Sequence, residues 1–292
     1  MMTVRQNKIG VWTPEIISRF WNYAGKQSGS QEQCFSKQVG KGLVKFLRDT
    51  VRLHDGMSVL DFGCGPGFLI QHLLEQKVIC YGVDSSPELV ELVNQRFQGY
   101  QRWMGATVAF SQSLPYPDSS FDLVTCVEVF EHLLDDNLHP MLFEIYRVLK
   151  PGGVAMFTTP NMENLLVNQV FCPFCQTEFH NRQHVRSFCV DSMHKLIQSV
   201  GFKVLFCEGV NFTILQNCSA GWKDSSLRNG YYGIRLLKGI ILDRILSRSF
   251  PYSEAFRVRA GCGIGAPHLC AIVERPKYNK ISQGNIENQN GG

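Results

Sequence analysis

The sequence contains no run of about 18 consecutive apolar residues, which excludes a membrane-spanning helix of the usual kind. The sequence also lacks a large excess of either charge: 29 Lys and Arg residues and 25 Asp and Glu residues give a formal net charge of only +4. Such a small excess does not by itself indicate a nucleic acid or a membrane surface as partner. The stretch MMTVRQNKIGVWTPE lacks the apolar core of a signal peptide, so we expect a cytoplasmic protein.

A disulfide framework is not expected either. The chain has eleven cysteines, an odd number, and Cys80, Cys126 and Cys270 fall in apparent core strands. Thiols in such positions are typical of a reduced, intracellular protein. With 292 residues, of which 44% are hydrophobic, the chain can form one sizeable core with small additions.

What the sequence does contain is an alternation of short apolar runs with amphipathic segments. From Met57 onward the order is SVLDFG, FLIQHLLEQ, VICYGVD, PELVELVNQRF, TVAFSQ, FDLVTCV, LHPMLFEIYRVLK and GGVAMFTTP. This alternation predicts βαβ units, that is, a mostly parallel sheet with helices on both faces. A sixth strand, FKVLFCEG, follows another helix, and a seventh strand, HLCAIVERP, comes only after a long insertion.

The same pattern divides the chain into regions. Residues 1–55 are expected to form a helical cap, and residues 56–276 an α/β domain that a helical insertion interrupts over 211–266. The polar tail over 277–292 is expected to be disordered. Within the insertion, residues 232–250 predict a basic amphipathic helix, which either packs on its own domain or lies on a membrane surface.

A glycine-rich turn follows the first strand of the predicted sheet. Gly63, Gly65 and Gly67 come directly after a strand that carries Asp61, and Asp84 ends the second strand. In such a frame backbone N–H groups approach a ligand closely, and the acid accepts hydrogen bonds from ribose hydroxyls. The spacing is G-x-G-x-G rather than the G-x-G-x-x-G of a dinucleotide site, which favours a different nucleotide-like ligand.

Four segments carry a resemblance to a known family. VLDFGCGPGF, VDSSPELV, LPYPDSSFDLVTCVEVFEHL and VLKPGGVAMFTTPN resemble, in this order, the motifs of class I S-adenosylmethionine (SAM)-dependent methyltransferases. The resemblance covers about 57–206 and includes the final strand. It implies a Rossmann-like sheet of seven mostly parallel strands, to which the N-terminal cap and the late insertion are added. It also implies SAM as the cofactor and methyl transfer as the activity.

Carried over by position, the resemblance assigns residues to the cofactor. Asp61 and the three glycines would surround the methionine part of SAM, while Asp84, with Ser85 beside it, would bind the ribose hydroxyls. Most relatives also place an acid after the third strand, against the adenine amine. Here AFSQSLPYPD is shorter and has no acid before Leu114, so Gln112 or a backbone carbonyl is left to make this contact.

A narrower similarity concerns the residues after the fourth strand. Glu128, Glu131 and His132 form E-x-x-E-H there, T-P-N follows the fifth strand, and a later H-x-x-x-F begins at His184. These motifs are similar to two metal-assisted groups, the ubiquinone-pathway catechol O-methyltransferases and the small-RNA 3′-terminal 2′-O-methyltransferases. The similarity implies that the four residues hold a divalent cation such as Mg²⁺ against the acceptor hydroxyl. The alternative is that they only shape the pocket, with His132 or His184 as a base.

The segment 171–188, FCPFCQTEFHNRQHVRSF, predicts a second metal site. Cys172, Cys175, His180 and His184 are four soft or borderline ligands, and this spacing is typical of a structural Zn²⁺ site. The alternative is a pair of reduced loop cysteines beside polar histidines. The two predicted sites compete for His184, and the sequence does not decide between them.

The sequence therefore predicts transfer of a methyl group from SAM to a hydroxyl of a small molecule, a glycan or a lipid intermediate. Methylation of an RNA 2′-hydroxyl is a second hypothesis, although no basic patch with interleaved aromatic residues supports a nucleic-acid partner. A third hypothesis is a non-catalytic scaffold of the same fold that binds a protein through the zinc loop. The oligomeric state does not follow from the sequence.

Overall fold

Helices and strands alternate along most of the computed structural model, which describes residues 8–110, 112–217, 257, 260–263 and 265–277. In chain order the elements are β1 (Lys8–Ile9), α1 (Pro14–Lys26), α2 (Ser28–Glu32), α3 (Phe35–Thr50), β2 (Ser58–Phe62), α4 (Phe68–Leu74), β3 (Ile79–Asp84), α5 (Pro87–Arg96), β4 (Trp103–Val108), β5 (Phe121–Val127), a 3₁₀ turn (Phe130–His132), α6 (Asp135–Val148), β6 (Leu149–Pro160), β7 (Gln169–Cys172), β8 (Thr177–His180), α7 (Val190–Ser199), β9 (Lys203–Val210), α8 (Phe212–Asn217) and β10 (His268–Glu274).

Seven of these strands form one sheet in the order β4-β3-β2-β5-β6-β10-β9. The strands from β4 to β6 are parallel to their neighbours, while β10 is antiparallel to both β6 and β9. The predicted Rossmann-like sheet of seven mostly parallel strands is therefore confirmed. Because the strand order reverses between β2 and β5, a crevice opens there at the carboxyl ends of the strands, where ligands bind in open α/β sheets.

The sheet separates two apolar cores. Adjacent residues of β2 face opposite sides, so that Val59 packs in the core beneath α3 and α4, whereas Leu60 packs in the core beneath α6 and α7. The large side chains at the centres of these cores, such as Phe46 and Phe157, are fully buried. Since each such side chain contributes about 1.5–3 kcal/mol, the two cores hold the strand ends in place.

Helix α1 begins where a typical start sequence, Thr13-Pro14-Glu15, lies. Thr13 is the N-cap residue, and its side-chain oxygen accepts a hydrogen bond from the backbone N–H of Ile16 at 3.4 Å. Residues of α1, of α2 and of the start of α3 line the cavity at the carboxyl ends of the strands. The N-terminal helices therefore cover part of the crevice.

The strand β4 lies earlier in the chain than the sequence pattern suggested. TVAFSQ predicted a strand over 107–112, whereas β4 spans Trp103–Val108 and pairs with β3. Trp103 supplies the apolar contact with the helix layer, since its ring lies 5.6 Å from that of Phe97. Phe110, by contrast, is 64% exposed, and the chain turns away from the sheet in a short bridge between Phe110 and Ser113.

A second, three-stranded sheet has the order β1-β8-β7 and lies outside the main one. Strands β7 and β8 form an antiparallel hairpin, and β1 is parallel to β8. The hairpin occupies the segment that the sequence assigns to a zinc loop, and residues 181–184 are not helical. Strands of four residues or fewer carry too little periodicity to be recognised in the sequence.

No helix among the described residues is long and apolar enough to cross a bilayer. The insertion begins with the short helix α8. Residues 232–250, where the sequence predicts a basic amphipathic helix, lie outside the described part of the chain. Residues 278–292 of the tail lie outside it as well.

Gly67, at the N-cap of α4, allows a direct test of the turn that precedes this helix. Its φ is 79°, and a Cβ added there would lie 2.5 Å from Val93 and 2.7 Å from the ring of Phe97. Gly56 has a similar φ of 77° but no atom within 4 Å. Both Ala substitutions strain the backbone, and only Gly67→Ala adds a clash, so we expect it to lower the free energy of unfolding by about 1–3 kcal/mol more than Gly56→Ala. Urea denaturation measures both values, and equal losses would contradict this account.

Candidate active site

A cavity of about 700 Å³ opens at the carboxyl ends of β2, β3 and β5. Its walls come from the glycine turn after β2, from the residues that follow the strands, and from the N-terminal helices. The volume lies within the range of about 300–1,000 Å³ that is usual for small-molecule sites. The crevice that the sheet order creates is thus partly covered and forms a cavity large enough for a small molecule.

The glycine turn presents its backbone to this cavity. Gly63 and Gly65 line it and have positive φ angles of 73° and 50°. A Cβ added to Gly65 would meet no atom within 4 Å, whereas one added to Gly63 would strike Val129 at 2.6 Å. The backbone at Gly65 is therefore open to a ligand, as expected for a turn that binds a nucleotide-like molecule. Gly67 does not line the cavity and instead packs against α5.

Asp84 ties this turn to the start of α5. Its Oδ2 accepts the backbone N–H of Gly65 and its Oδ1 accepts that of Ser86, both at 2.9 Å. Burial raises the pKa of Asp84, while these hydrogen bonds oppose the rise. Each carboxylate oxygen retains a further lone pair, so the side chain can still accept hydrogen bonds from a ligand in the cavity. Ser85 lines the cavity beside it.

Besides Gly67, two more residues assigned to the cofactor are not on the cavity wall, namely Asp61 and Gln112. Asp61 is only 3% exposed, and the Thr125 hydroxyl donates to its Oδ1 at 2.7 Å. Burial, with the nearby Asp84 as a smaller cause, raises the pKa of Asp61 to about 7. Gln112 is exposed and donates to the side chain of Asn137 at 3.3 Å. Because the chain leaves the sheet after β4, Ala109 and Phe110 line the cavity in its place.

The chain after β5 carries two acids to the cavity. Glu128 has a φ of 53°, which residues other than glycine seldom adopt, and its Oε1 accepts from the Thr158 hydroxyl at 2.9 Å. The same oxygen lies 3.5 Å from Nδ1 of His268. Glu131 is 1% exposed, and neither of its carboxylate oxygens has a hydrogen-bond partner among the described residues. Burial, together with the charge of Glu128, raises the pKa of Glu131 well above its usual range.

Glu131, His132 and His184 form a group of possible metal ligands, with one donor atom from each within 4.8 Å of the others. Nδ1 of His132 lies 3.4 Å from the carbonyl oxygen of Gln183, which can only accept, so this contact assigns the proton to Nδ1. Nε2 of His132 keeps its lone pair and lies 3.8 Å from Oε1 of Glu131. Burial, and to a lesser degree His184, lower the pKa of His132 to about 3, so the ring is neutral at physiological pH.

This donor set fits a divalent cation. A buried carboxylate without a partner is costly, and a cation provides the missing interaction. Neutral imidazoles with a free nitrogen are common ligands. Glu128 does not belong to the group, because its carboxylate faces Thr158 and His268. The sequence assigned four residues to a cation that holds the acceptor hydroxyl. All four line the cavity, but only three of them have donor atoms close enough to share one ion.

The zinc site predicted from Cys172, Cys175, His180 and His184 is not assembled. In the described part of the chain, the groups of three or more possible ligands within 4.8 Å contain no cysteine. The reason is the hairpin: Cys172 pairs with Thr177 beside the turn, whereas His180 lies at the opposite end of β8. Cys175 is exposed in the turn between the strands. The hairpin thus separates the thiols from the imidazoles.

Other residues at the site were not recognised in the sequence, notably Trp21, Glu163 and His268. The Trp21 ring contacts that of His132 edge-on, with 4.8 Å between centroids. Glu163 Oε2 lies 2.5 Å from Nδ1 of His184. Glu163 comes two residues after Asn161 of T-P-N, and this place near a motif was a signal in the sequence. Nothing in the sequence distinguishes Trp21 from an ordinary packing residue of an amphipathic helix.

Comparison with known proteins shows which class of domain the chain resembles. Residues 60–157 match the family model described as a methyltransferase domain. A methyltransferase solved in complex with the Trm112 methyltransferase activator of Haloferax volcanii has a TM-score of 0.58 at 17% identity, covering 89% of this chain and 98% of that chain. The 1,6-didemethyltoxoflavin-N1-methyltransferase of Burkholderia thailandensis has a TM-score of 0.55 at 14% identity, covering 94% and 98%. The matched segment is similar to methyltransferase domains, and the fold is the Rossmann-like fold of these solved methyltransferases.

Among curated proteins, the ubiquinone biosynthesis O-methyltransferase of Coxiella burnetii is 28% identical over 147 residues. The match covers 50% of this chain and 59% of that protein. The chain therefore spans less than two thirds of this relative.

Asp84→Asn tests the predicted contact between this carboxylate and SAM. An amide nitrogen cannot accept a backbone N–H, so the substitution disturbs the link to Gly65 or Ser86 and removes an acceptor for the ribose. Loss of a charged hydrogen bond costs about 1.5–3 kcal/mol, so we expect SAM to bind about ten- to a hundredfold more weakly in calorimetry. Asp55→Asn, at a surface ion pair with Arg102, is the control and should bind SAM normally. Unchanged affinity of folded Asp84→Asn would contradict the assignment.

Glu131→Gln tests the cost of the unpaired carboxylate. Since the pKa of Glu131 is raised in the folded state, metal-free wild-type protein should lose stability as the pH rises above the usual glutamate value of about 4.3. In the presence of a chelator at neutral pH, we expect the free energy of unfolding of Glu131→Gln to exceed that of the wild type by about 1–3 kcal/mol. Glu91→Gln, on the exposed side of α5, should change little. A destabilised Glu131→Gln would show that the carboxylate is paired.

Proposed function

We propose that this protein transfers the methyl group of SAM to a hydroxyl of a small acceptor, oriented by a divalent cation at Glu131, His132 and His184. The observation that carries the proposal is that this ligand group and the glycine turn line one cavity. The methyl donor SAM and the acceptor hydroxyl could therefore meet inside one cavity. The activity named for the Coxiella relative supports oxygen as the accepting atom.

The residues would divide the chemistry between two ends of the cavity. At one end, the backbone of Gly63 and Gly65 and the carboxylate of Asp84 would hold SAM, which supplies a methyl group on a positively charged sulfur. At the other end, a cation such as Mg²⁺ would lower the pKa of the acceptor hydroxyl and hold it in place. Orientation of this kind can supply about 7–11 kcal/mol of the barrier. The carboxylate of Glu131 would balance the charge of the cation.

The walls favour an acceptor with an apolar or aromatic body. Ile17, Phe20 and Trp21 of α1 line the cavity, with Leu133 and Leu134 after the 3₁₀ turn. Trp21 lies against His132, so that an aromatic surface adjoins the ligand group. A small aromatic compound with two adjacent oxygens would present its ring to these side chains and its oxygens to the cation.

The RNA alternative is less well supported by the cavity. Arg182 is the sole Lys or Arg among the described residues that line it, whereas a polyanion is usually bound through several such contacts. The hypothesis of a non-catalytic scaffold depends on a zinc loop, and the described residues contain no group of possible metal ligands that includes a cysteine. A cytoplasmic location remains an expectation from the sequence.

The test uses SAM labelled in its methyl group, with 3,4-dihydroxybenzoate and 4-hydroxybenzoate as acceptors. We expect labelled product from the dihydroxy compound, in the presence of Mg²⁺ or Mn²⁺, and its loss on chelation. Glu131→Gln should lower kcat about a hundredfold or more with little change in SAM affinity, because the cation touches the acceptor rather than the cofactor. Glu91→Gln should keep full activity.

Two results would count against the proposal. Full turnover in metal-depleted buffer would remove the cation from the mechanism and leave a base-only transfer. Absence of SAM binding in calorimetry would remove the methyl donor itself.

A further inference from the structure

We infer that Glu163 is a positioning residue, which sets the tautomer and orientation of the His184 ring so that its Nε2 serves the ligand group of Glu131 and His132. The inference rests on the proposed function, because it concerns the same cation. Glu163 lies just after the end of β6, and its side chain is largely buried between the cavity and the hairpin.

The carboxylate of Glu163 is surrounded by donors. Its Oε2 lies 2.5 Å from Nδ1 of His184, and its Oε1 accepts from the side-chain amide of Asn168 at 3.3 Å. Oε1 also lies 3.5 Å from Nε2 of His180. An ionised carboxylate can only accept, so His184 carries its proton on Nδ1. The nitrogen of His184 that remains free for a cation is therefore Nε2.

Glu163, His180 and His184 also have donor atoms within 4.8 Å of one another, but the hydrogen bonds of His180 argue against a metal there. Nδ1 of His180 accepts the backbone N–H of His184 at 3.1 Å and that of Arg182 at 3.4 Å. A neutral His180 must then carry its proton on Nε2, which leaves that nitrogen no lone pair for a cation. The ring is 2% exposed and stacks on His184, with 4.6 Å between centroids. These three residues form a supporting network rather than a ligand set.

The two possible ligand groups share His184, and this proton assignment selects the one that contains Glu131 and His132. In that group both imidazoles are tied through Nδ1, His132 to the carbonyl of Gln183 and His184 to Glu163. Partners of this kind orient a metal-binding imidazole and raise its basicity, and their loss typically costs about 10–100-fold in metal affinity.

The backbone around His184 is held independently of Glu163. The N–H of Val185 donates to the carbonyl of Glu131 at 2.8 Å, and the Gln183 side chain donates to the carbonyl of His132 at 2.9 Å. Glu163 therefore acts on the ring of His184 and not on the path of the chain. A variant at position 163 should fold and keep the ligand residues near one another.

The experiment measures Mn²⁺ binding to the whole protein by calorimetry, without SAM or acceptor, in wild type and Glu163→Gln. The amide must turn its NH₂ group toward either His184 or the donors of His180 and Asn168, so the bond that holds Nδ1–H is lost or weakened. We expect Mn²⁺ to bind about 10–100-fold more weakly. Nitrogen NMR of the metal-free proteins reports the tautomer directly: His184 should carry Nδ1–H in wild type and gain an Nε2–H population in the variant.

Two further variants serve as controls. Glu178→Gln makes the same chemical change on the same hairpin, at a residue outside both ligand groups, and should leave the Mn²⁺ affinity unchanged. His180→Asn keeps an acceptor near the position of Nδ1 and removes Nε2, so Mn²⁺ affinity should stay within about threefold of wild type if His180 is not a ligand.

The outcomes separate the inference from the proposed function. Unchanged Mn²⁺ affinity together with an unchanged His184 tautomer in Glu163→Gln would overturn the inference. A loss of about a hundredfold in the Mn²⁺ affinity of His180→Asn would also overturn it, because His180 would then be a ligand. Wild-type protein that binds no Mn²⁺ would refute the cation of the proposed function. In that case the NMR comparison still tests whether Glu163 sets the tautomer.

Discussion

Parallel strands end at the same edge of a sheet, and this constraint determines where the side chains of the candidate site meet. The glycine turn follows β2, Asp84 ends β3, Glu128 and Glu131 follow β5, and Glu163 follows β6. Residues far apart in the chain are thus delivered to one crevice by the two buried cores that hold the strands in register. The N-terminal helices then cover part of the crevice and complete the walls of the cavity.

Two groups of polar residues along this cavity differ in how they are satisfied. Beside the glycine turn, Asp84 accepts hydrogen bonds from the backbone of Gly65 and Ser86, and these bonds organise the turn. In the group of possible metal ligands, the buried carboxylate of Glu131 has no hydrogen-bond partner among the described residues. Its position is maintained by the surrounding packing, at a local cost in stability that is common at functional sites.

The hairpin of β7 and β8 links the outer surface of the molecule to the site. It carries His180, whose ring accepts the backbone N–H of His184 and so shapes the turn that leads into the cavity. Beyond this turn His184 contacts both Glu163 and the ring of His132. The segment whose cysteines suggested an independent metal loop therefore supports the histidines of the candidate site.

The sequence by itself determined the class of fold, the order of the seven strands along the chain and the residues that follow each strand, because apolar periodicity and turn chemistry are local properties. It also identified Gly65, Asp84, Glu131 and His132, since these lie within motifs at the strand ends. It placed the third strand of the sheet over 107–112, whereas this strand, β4, spans Trp103–Val108, and it grouped four zinc ligands by their spacing alone. Only the tertiary structure separated the thiols from the imidazoles and brought Glu163, Trp21 and His268 to the cavity. Contacts between residues distant in the chain depend on strand register and helix packing, which no local pattern encodes.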